Sequence, residues 1–122
     1  MANSADKRRQ AYKKGHKGEY LANWALRLKG YRIVASRFKT KSGEVDIIAR
    51  RGKLILMVEV KARSTLEQAM DAVSTTALRR IEAAGDEWLA KQADYAQLSV
   101  RYDLMAVLPR RWPIHVEAIH TP

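Results

Sequence analysis

The run Leu-Ile-Leu-Met-Val-Glu-Val occupies residues 54–60, and six of its seven side chains are large and apolar. An apolar run of this length is typical of a strand covered on both faces, so it predicts the central strand of a sheet. Glu59 interrupts the run, and a buried carboxylate is costly unless it is paired or binds a metal. Glu59 is therefore the first candidate functional residue.

A second β-type run covers residues 44–49, and only Arg-Arg-Gly-Lys at residues 50–53 separates it from the first. A short connection that contains glycine predicts a β-hairpin. With these four residues as the connection, Ala49 lies opposite Leu54. Because side chains alternate between sheet faces, this register places four polar side chains on one face: Glu44, Asp46, Glu59 and Lys61.

Helices and further strands are predicted on both sides of this hairpin. An apolar stripe at helical spacing predicts a helix over residues 18–29, with Trp24 in the core and Gly30 as the stop signal. Ser74 is predicted to cap a second helix over 75–92, and residues 64–73 predict a loop with a short helical turn. Strands are predicted over residues 31–38, 44–49, 54–61, 100–108 and 114–119, the last as an edge strand. The order α-β-β-β-α-β-β predicts an α/β fold with a mixed sheet flanked by helices.

The basic charge is concentrated in the first half of the chain. The 122 residues carry a net charge of +10 and fit one domain. Residues 1–53 hold 15 Lys and Arg against 4 acids, whereas residues 54–122 hold 8 against 9. We expect a basic arm over 1–17, either a solvated tail or a phosphate-binding segment, and a single domain over 18–122. Candidate phosphate contacts are Lys13, Lys14, Lys17, Arg37, Lys39, Lys41, Arg50 and Arg51.

Several classes of protein are excluded by the composition. The chain has no cysteine, so it has no disulfide framework, thiolate zinc site or cysteine nucleophile. No apolar run approaches the length of a membrane span or a secretory signal. We therefore expect a cytoplasmic protein without a membrane partner, and we expect nucleic acid, DNA rather than RNA, as the polyanion that the basic charge binds.

The acidic residues of the hairpin predict a metal site. Asp46 and Glu59 supply carboxylate oxygens and Val60 a carbonyl oxygen, which are ligands that Mg²⁺ or Mn²⁺ accepts. Lys61 would orient a water molecule or stabilise the negative charge that develops at phosphorus. Glu19, on the first helix, is a helper carboxylate. These groups together suit the hydrolysis of a phosphodiester.

Each candidate also has a structural interpretation. Glu59 and Lys61 could form an ion pair along the strand, Asp46 could cap a backbone group, and Glu19 could be an acid that the helix dipole favours. Three residues are secondary candidates: Glu44, Arg63 and Asp103. Among these, Glu44 is expected to be solvated and Asp103 to pair with Arg101 or Arg63. Three histidines without ligand spacing are interpreted as ordinary: His16, His115 and His120.

The sequence resembles a known group of nucleases. Asp46, followed after twelve residues by Glu59-Val60-Lys61, resembles the Asp…Glu-x-Lys signature of the restriction-endonuclease-like superfamily. An ordered set of segments resembles the YraN-like family of predicted endonucleases, which are related to archaeal Holliday junction resolvases. The matching segments are Gly18-Glu19 with Ala22, Gly30-Tyr31, 43–49, 58–63 and 101–103.

This resemblance implies a restriction-endonuclease-like core and a metal site at Asp46, Glu59 and Lys61, with Glu19 as helper. It also implies a homodimer, because junction-cutting relatives are dimers. Two positions depart from the family pattern. Arg37 stands where the family usually has asparagine, and Ala77 stands where it usually has lysine.

The function predicted from these residues is a metal-dependent endonuclease acting on DNA, on branched or structured DNA in particular. One alternative is a non-catalytic nucleic-acid-binding protein that keeps the nuclease fold, for which a chelator would not affect binding. Another is a basic scaffold on RNA, such as a ribosome-associated factor. The acid within an apolar strand argues against the scaffold, which has no use for it.

Overall fold

Five strands form a single mixed sheet in the computed structural model, which describes residues 18–122. The strands are β1 (Arg32–Lys39), β2 (Glu44–Arg51), β3 (Leu54–Ala62), β4 (Ser99–Val107) and β5 (Ile114–His120). The helices are α1 (18–28), α2 (Leu66–Asp71) and α3 (Thr75–Ala90), with a 3₁₀ turn at Tyr95–Gln97. The predicted α/β class and element order are confirmed, with α2 as the short helical turn expected before the second main helix.

The strands lie in the order β1-β2-β3-β4-β5, so β3 is central and β5 is an edge strand, as predicted. Neighbouring strands are antiparallel except β3 and β4, which are parallel. A parallel pair needs a crossover connection, which α2 and α3 provide. Within the described residues, none of the helices combines the length and the apolar character needed to cross a membrane.

The alternating side chains of β3 pack against helices on both faces of the sheet. Leu56 and Val58 belong to the cluster that contains α1, while Ile55 and Met57 belong to the cluster that contains α3. All four side chains are fully buried. This arrangement explains why the strand is apolar along nearly its whole length.

The prediction that Trp24 belongs to the core is wrong. Its side chain is 44% exposed and that of Leu28 is 72% exposed. The buried face of α1 consists of Ala22, Ala25 and Leu26 instead. Two alanines let the helix lie close to the sheet, and the stripe that carries the tryptophan then faces outward.

The predicted four-residue connection of the hairpin is also wrong. The turn contains only Gly52 and Lys53, and Arg51 rather than Ala49 pairs with Leu54. Gly52 has φ 62°, as the first central residue of a tight hairpin turn requires. Arg50 and Arg51 therefore belong to β2, where tertiary partners hold their side chains.

Caps and one close approach fix α3 against the sheet. The Ser74 side chain accepts a hydrogen bond from the backbone N–H of Ala77, which confirms the predicted cap. Gly43, just before β2, lies so near the backbone of Arg80 that an added Cβ atom would overlap the Arg80 carbonyl. The start of β2 is thus held directly against the middle of α3.

Candidate active site

The candidate site lies where β2 and β3 separate. The last regular pair of their ladder is Ile47 with Val58. One residue further along come Asp46 and Glu59, where a hydrogen bond to the Asp46 side chain replaces the backbone hydrogen bonds of the ladder. Its Oδ2 atom accepts a hydrogen bond from the backbone N–H of Val60 over 2.8 Å.

The observed register differs from the predicted one by two residues, which leaves the assignment of side chains to faces unchanged. The alternation along β2 breaks at Asp46, however. Val45 packs in the cluster on the α3 side, while Ile47 packs in the cluster on the α1 side. Simple alternation therefore does not determine where the Asp46 side chain points, and its contact with Val60 does.

Asp46 is the most electrostatically perturbed acid of this site. The pKa of its carboxyl is raised from 3.8 to about 7, chiefly by burial and next by the negative charge of Glu59. Glu19 and Glu44 contribute in the same direction, while the hydrogen bond from Val60 opposes the shift. Three neighbouring acids thus add to the shift in the pKa of Asp46, as expected where carboxylates crowd in a poorly solvated place.

Glu59 and Lys61 form an ion pair along β3, in accord with the structural interpretation of these residues. Lys61 Nζ lies 3.1 Å from Glu59 Oε1, and the glutamate side chain is only 12% exposed. Burial raises the pKa of Glu59, and the nearby Lys61 charge opposes that shift. The pair provides one cation for an acidic cluster that contains several carboxylates.

Glu19 reaches the same region from α1 and is paired with Arg37. Arg37 Nε donates to Glu19 Oε2 over 2.8 Å. Arg37 has φ 52°, a left-handed backbone conformation in which asparagine is enriched among non-glycine residues. The asparagine that the resembled family usually has at this position would suit that backbone. Glu44 also has a basic neighbour, with Lys39 Nζ at 3.8 Å.

The predicted phosphate-binding residues divide into two groups. Arg37, Lys39 and Lys41 lie at the end of the sheet that holds the acids. Arg50 and Arg51 lie at the opposite end of β2 and make structural contacts there. Arg50 donates to Asp94 over 2.8 Å, and the Arg51 guanidinium stacks on Tyr31 at 4.3 Å from the ring centroid. Lys13, Lys14 and Lys17 fall outside the described residues.

A groove of about 600 Å³ runs between α1 and the first two strands. Asp46 and Glu19 line it together with Tyr20, Trp24 and Arg27. The aromatic lining was missed from the sequence because the apolar stripe of α1 was assigned to the core. Helical spacing alone does not distinguish a stripe that packs on a sheet from one that lines a groove.

Arg63 lies at a second, smaller pocket beyond the end of β3. Its volume is about 330 Å³, and its walls include Ala62 and Val107 with Arg110 and Arg111. The pocket thus brings Arg110 and Arg111 to the same place as Arg63, although they are distant from it in the sequence. Sequence reasoning did not single them out, since they follow β4.

Asp103 is fully buried and holds a polar network on the other side of β3. Arg101 donates to both of its oxygens, and His115 Nε2 lies 2.7 Å from Oδ2. Burial alone would raise the pKa of Asp103, but these hydrogen bonds outweigh it and lower the pKa to about 2. The expected pairing with Arg101 is confirmed. The role of His115 was missed, since its partner is distant in sequence.

The donor set of the site suits a hard cation that keeps much of its water shell. Among residues 18–122, no three His, Cys, Asp or Glu side chains are placed to share one metal ion. Asp46 and Glu59 provide two carboxylates whose pKa values are raised by burial. Mg²⁺ is usually held by one or two carboxylates with several waters, so this smaller set fits it.

Comparison with known proteins shows that a family model matches most of the chain. The model of the family described as "Uncharacterised protein family UPF0102" matches residues 18–107. A UPF0102 protein of Chelativorans sp. (strain BNC1) is 69% identical over 113 residues, which cover 93% of this chain and 91% of the relative.

Other relatives carry the same family name. A UPF0102 protein of Mesorhizobium japonicum is 60% identical over 110 residues, covering 90% of this chain and 88% of the relative. One of Bartonella tribocorum is 60% identical over 114 residues, covering 93% and 88%. The names of these relatives state a family and no activity, so chemistry has to be argued from the site.

Proposed function

Because the chain belongs to protein family UPF0102, we propose for it a function that rests on its site: a metal-dependent endonuclease that hydrolyses DNA phosphodiester bonds. The observation that carries this proposal is the crowding of Asp46 and Glu59 where β2 and β3 part. Burial, together with repulsion from the nearby charge of Glu59, raises the pKa of Asp46 to about 7. Acids with strongly perturbed pKa values cluster at functional sites.

A divalent cation would relieve this repulsion. Asp46 and Glu59 would each supply a carboxylate oxygen, and Val60 a carbonyl oxygen. The N–H of Val60 points towards β2, and in a strand the C=O of the same residue points to the same edge. That edge is where the ladder has ended, so the carbonyl is available there.

Mg²⁺ or Mn²⁺, when bound, supplies positive charge that polarises a phosphodiester and makes water easier to deprotonate. The residues of the chain orient the reaction. Lys61, held 3.1 Å from Glu59, is placed to stabilise negative charge on the phosphate oxygens or to orient the attacking water. The water oxygen bonds to phosphorus and one P–O ester bond breaks, which leaves a phosphate monoester and a hydroxyl group.

The basic residues around the acids support DNA as the substrate. Arg37, Lys39 and Lys41 surround this end of the sheet, and the whole chain carries a charge of +10. The resemblance to the Asp…Glu-x-Lys signature supports the same reaction and, through the junction-cutting relatives, branched DNA and a homodimer. We propose the cytoplasm as the place of action.

A non-catalytic nucleic-acid-binding protein is the second candidate. The ion pairs of Glu59 with Lys61 and of Glu19 with Arg37 favour it, because they neutralise acids that a metal site would use. In that case the carboxylates would stabilise the fold and the basic residues alone would bind DNA.

The experiment is a cleavage assay on linear, nicked and four-way-junction DNA with Mg²⁺, with Mn²⁺ and with a chelator. We expect cleavage with either metal, none with the chelator and none in Glu59→Gln. Glu44→Gln is the matched control, since it removes an exposed acid from the same cluster, and it should retain most activity.

Calorimetric titration with Mn²⁺ separates metal binding from turnover. We expect the wild type to bind Mn²⁺ and Glu59→Gln to bind it much more weakly. Failure of the wild type to cut any of these substrates would contradict the proposed reaction. DNA binding that a chelator does not alter, without cleavage, would favour the second candidate.

A further inference from the structure

Two aromatic side chains on α1 face the solvent beside the candidate active site. Tyr20 is 64% exposed and Trp24 is 44% exposed. Their ring centroids are 6.5 Å apart and the rings meet edge to face at 75°. Arg27 lies one helical turn further on, with its guanidinium carbon 5.8 Å from the centre of the Trp24 ring. We call Tyr20, Trp24 and Arg27 the aromatic shelf.

The aromatic shelf is one wall of the groove that leads to Asp46. At about 600 Å³, the groove has the size of a typical small-molecule site and is much larger than a hydrated cation needs. Ser36 and Ile47 also line it, so its floor is formed by β1 and β2. The space next to the proposed metal ligands is therefore suited to a flat, partly apolar group.

The chemistry of the aromatic shelf is that of a stacking surface for nucleic-acid bases. Proteins that bind single strands combine basic residues with aromatic rings on which bases stack, and an arginine over a ring adds to this. The bases of an intact duplex have their faces covered by neighbouring base pairs. Only an unpaired base can therefore place its face on Tyr20 or Trp24.

We propose that the aromatic shelf stacks an unpaired base of the strand whose phosphate lies at Asp46 and Glu59. The substrate class is then DNA with unpaired nucleotides beside the cleaved bond, as in a single-stranded tail or at the edge of a branch. The position of the cleaved bond rests on the proposed nuclease function. The stacking itself does not require turnover.

Charge supports DNA rather than an apolar partner as the occupant. Arg27 belongs to the shelf, and Arg37 and Lys39 lie on β1 at the same side of the acids. A second copy of the chain is the competing occupant. It would bring a second chain of net charge +10, with its own Arg27, against this one, and like charges facing each other are unfavourable.

Binding measured in a chelator tests the proposal without cleavage. The probes are a fluorescently labelled blunt duplex and the same duplex with a single-stranded tail, followed by anisotropy. We expect the wild type to prefer the tailed duplex. Trp24→Ala should weaken binding of the tailed duplex about ten-fold, the usual effect of losing one stacking side chain, and should leave blunt-duplex binding unchanged.

Matched variants control for effects on folding and for the loss of an exposed aromatic side chain elsewhere on the protein. Tyr95→Ala removes an equally exposed tyrosine from the 3₁₀ turn that follows α3, and it should retain the preference that Tyr20→Ala reduces. Trp24→Phe keeps a stacking ring and should retain most of the affinity. In that variant, quenching of tryptophan fluorescence by single-stranded DNA should fall sharply, because the quenched ring is gone.

Equal wild-type affinity for blunt and tailed DNA would overturn the proposal, as would equal weakening of both by Trp24→Ala. A third result would also overturn it. In this case the wild type sediments as a dimer, Trp24→Ala sediments as a monomer, and DNA does not quench the fluorescence of the dimer. The nuclease proposal fails separately. Glu59→Gln should keep the Trp24-dependent preference, and a wild type that shows this preference but cuts no DNA would refute the nuclease activity alone.

Discussion

The backbone N–H of Val60 donates to the Asp46 carboxylate over 2.8 Å, just beyond Ile47–Val58, the last pair of the β2–β3 ladder. This hydrogen bond fixes the side chain of Asp46, one proposed ligand, to Val60, the residue that follows Glu59, the other carboxylate ligand. It also favours the ionised form of Asp46. Burial and the nearby Glu59 have the opposite and larger effect, so the acid is held in place at an energetic cost.

That cost predicts a dependence of stability on pH. The folded-state pKa of Asp46 is about 7, above the ordinary 3.8, so the folded protein binds more protons than the unfolded chain between these values. This contribution favours the folded state at low pH and is lost as the pH rises through about 7. In a chelator, Asp46→Asn should melt several degrees above the wild type at about pH 8, with a smaller difference at about pH 5.

Mn²⁺ provides the control for this comparison. It should raise the melting temperature of the wild type and leave that of Asp46→Asn unchanged, since only the wild type retains both carboxylates. A difference between the two proteins that is the same at both pH values would contradict the assignment of the pH effect to Asp46.

Removal of the Lys61 charge should affect catalysis more than metal binding. Lys61→Met keeps the aliphatic stem but leaves Glu59 without its partner at 3.1 Å. We expect the single-turnover cleavage rate at saturating Mg²⁺ to fall about 10²–10³-fold, the usual effect of losing one group that stabilises transition-state charge. Lys91→Met, at the far end of α3, is the control and should cleave normally. A normal rate at saturating Mg²⁺, with a deficit only at lower Mg²⁺ concentrations, would show that Lys61 acts only on metal affinity.

Replacement of Gly43 should destabilise the protein because of the neighbouring helix. The added methyl group of Gly43→Ala would overlap the backbone carbonyl of Arg80, so β2 or α3 has to move. We expect a loss of more than about 2 kcal/mol in the free energy of unfolding, measured in urea. Gly52→Ala is the comparison, because open space surrounds it and only its φ of 62° is unfavourable. It should cost about 1 kcal/mol. A Gly43→Ala variant as stable as Gly52→Ala would contradict this packing.

Asp103→Asn should lower stability without affecting the candidate active site. Arg101 and His115 would lose the buried charge that they share, which should cost about 3 kcal/mol at neutral pH. The pKa of Asp103 is about 2 in the folded protein, below its ordinary value. Its contribution is therefore present above about pH 4 and is lost as the pH falls towards 2. Urea unfolding across this range should show the wild type losing its advantage, whereas Glu117→Gln, an exposed partner of Arg101, should change little.

The sequence predicted the fold class because local patterns and tertiary packing agree for most elements. The apolar run of β3 marks its central position, and Ser74 marks the start of α3. Glu59 was found from the cost of burying charge, and Asp46 from the hairpin register that places it on the same face. Their proximity follows from the separation of two strands, which periodicity does not describe.

The errors have a common physical cause. Residues were assigned to a turn or to the core from local sequence, whereas their tertiary partners decide where they lie. Arg50 and Arg51 were assigned to a turn because of their charge, yet Asp94 and Tyr31 hold them in a strand. Trp24 was assigned to the core because it lies in an apolar stripe at helical spacing. The pairing of His115 with Asp103 depends on the contact between β4 and β5 and leaves no local signal.

The turn at Gly52–Lys53 has a consequence for how such a domain tolerates change in length. The hairpin is closed from Arg51–Leu54 to Ile47–Val58, so the number of residues in the turn sets which residue of one strand stands beside Glu59. One inserted residue would move the side chains of a strand to the opposite faces of the sheet. It would also bring a neighbour of Asp46, instead of Asp46 itself, opposite Glu59. Substitutions at this solvent-exposed corner are tolerable, whereas insertions and deletions there would change the proposed ligand pair at the opposite end of the strands.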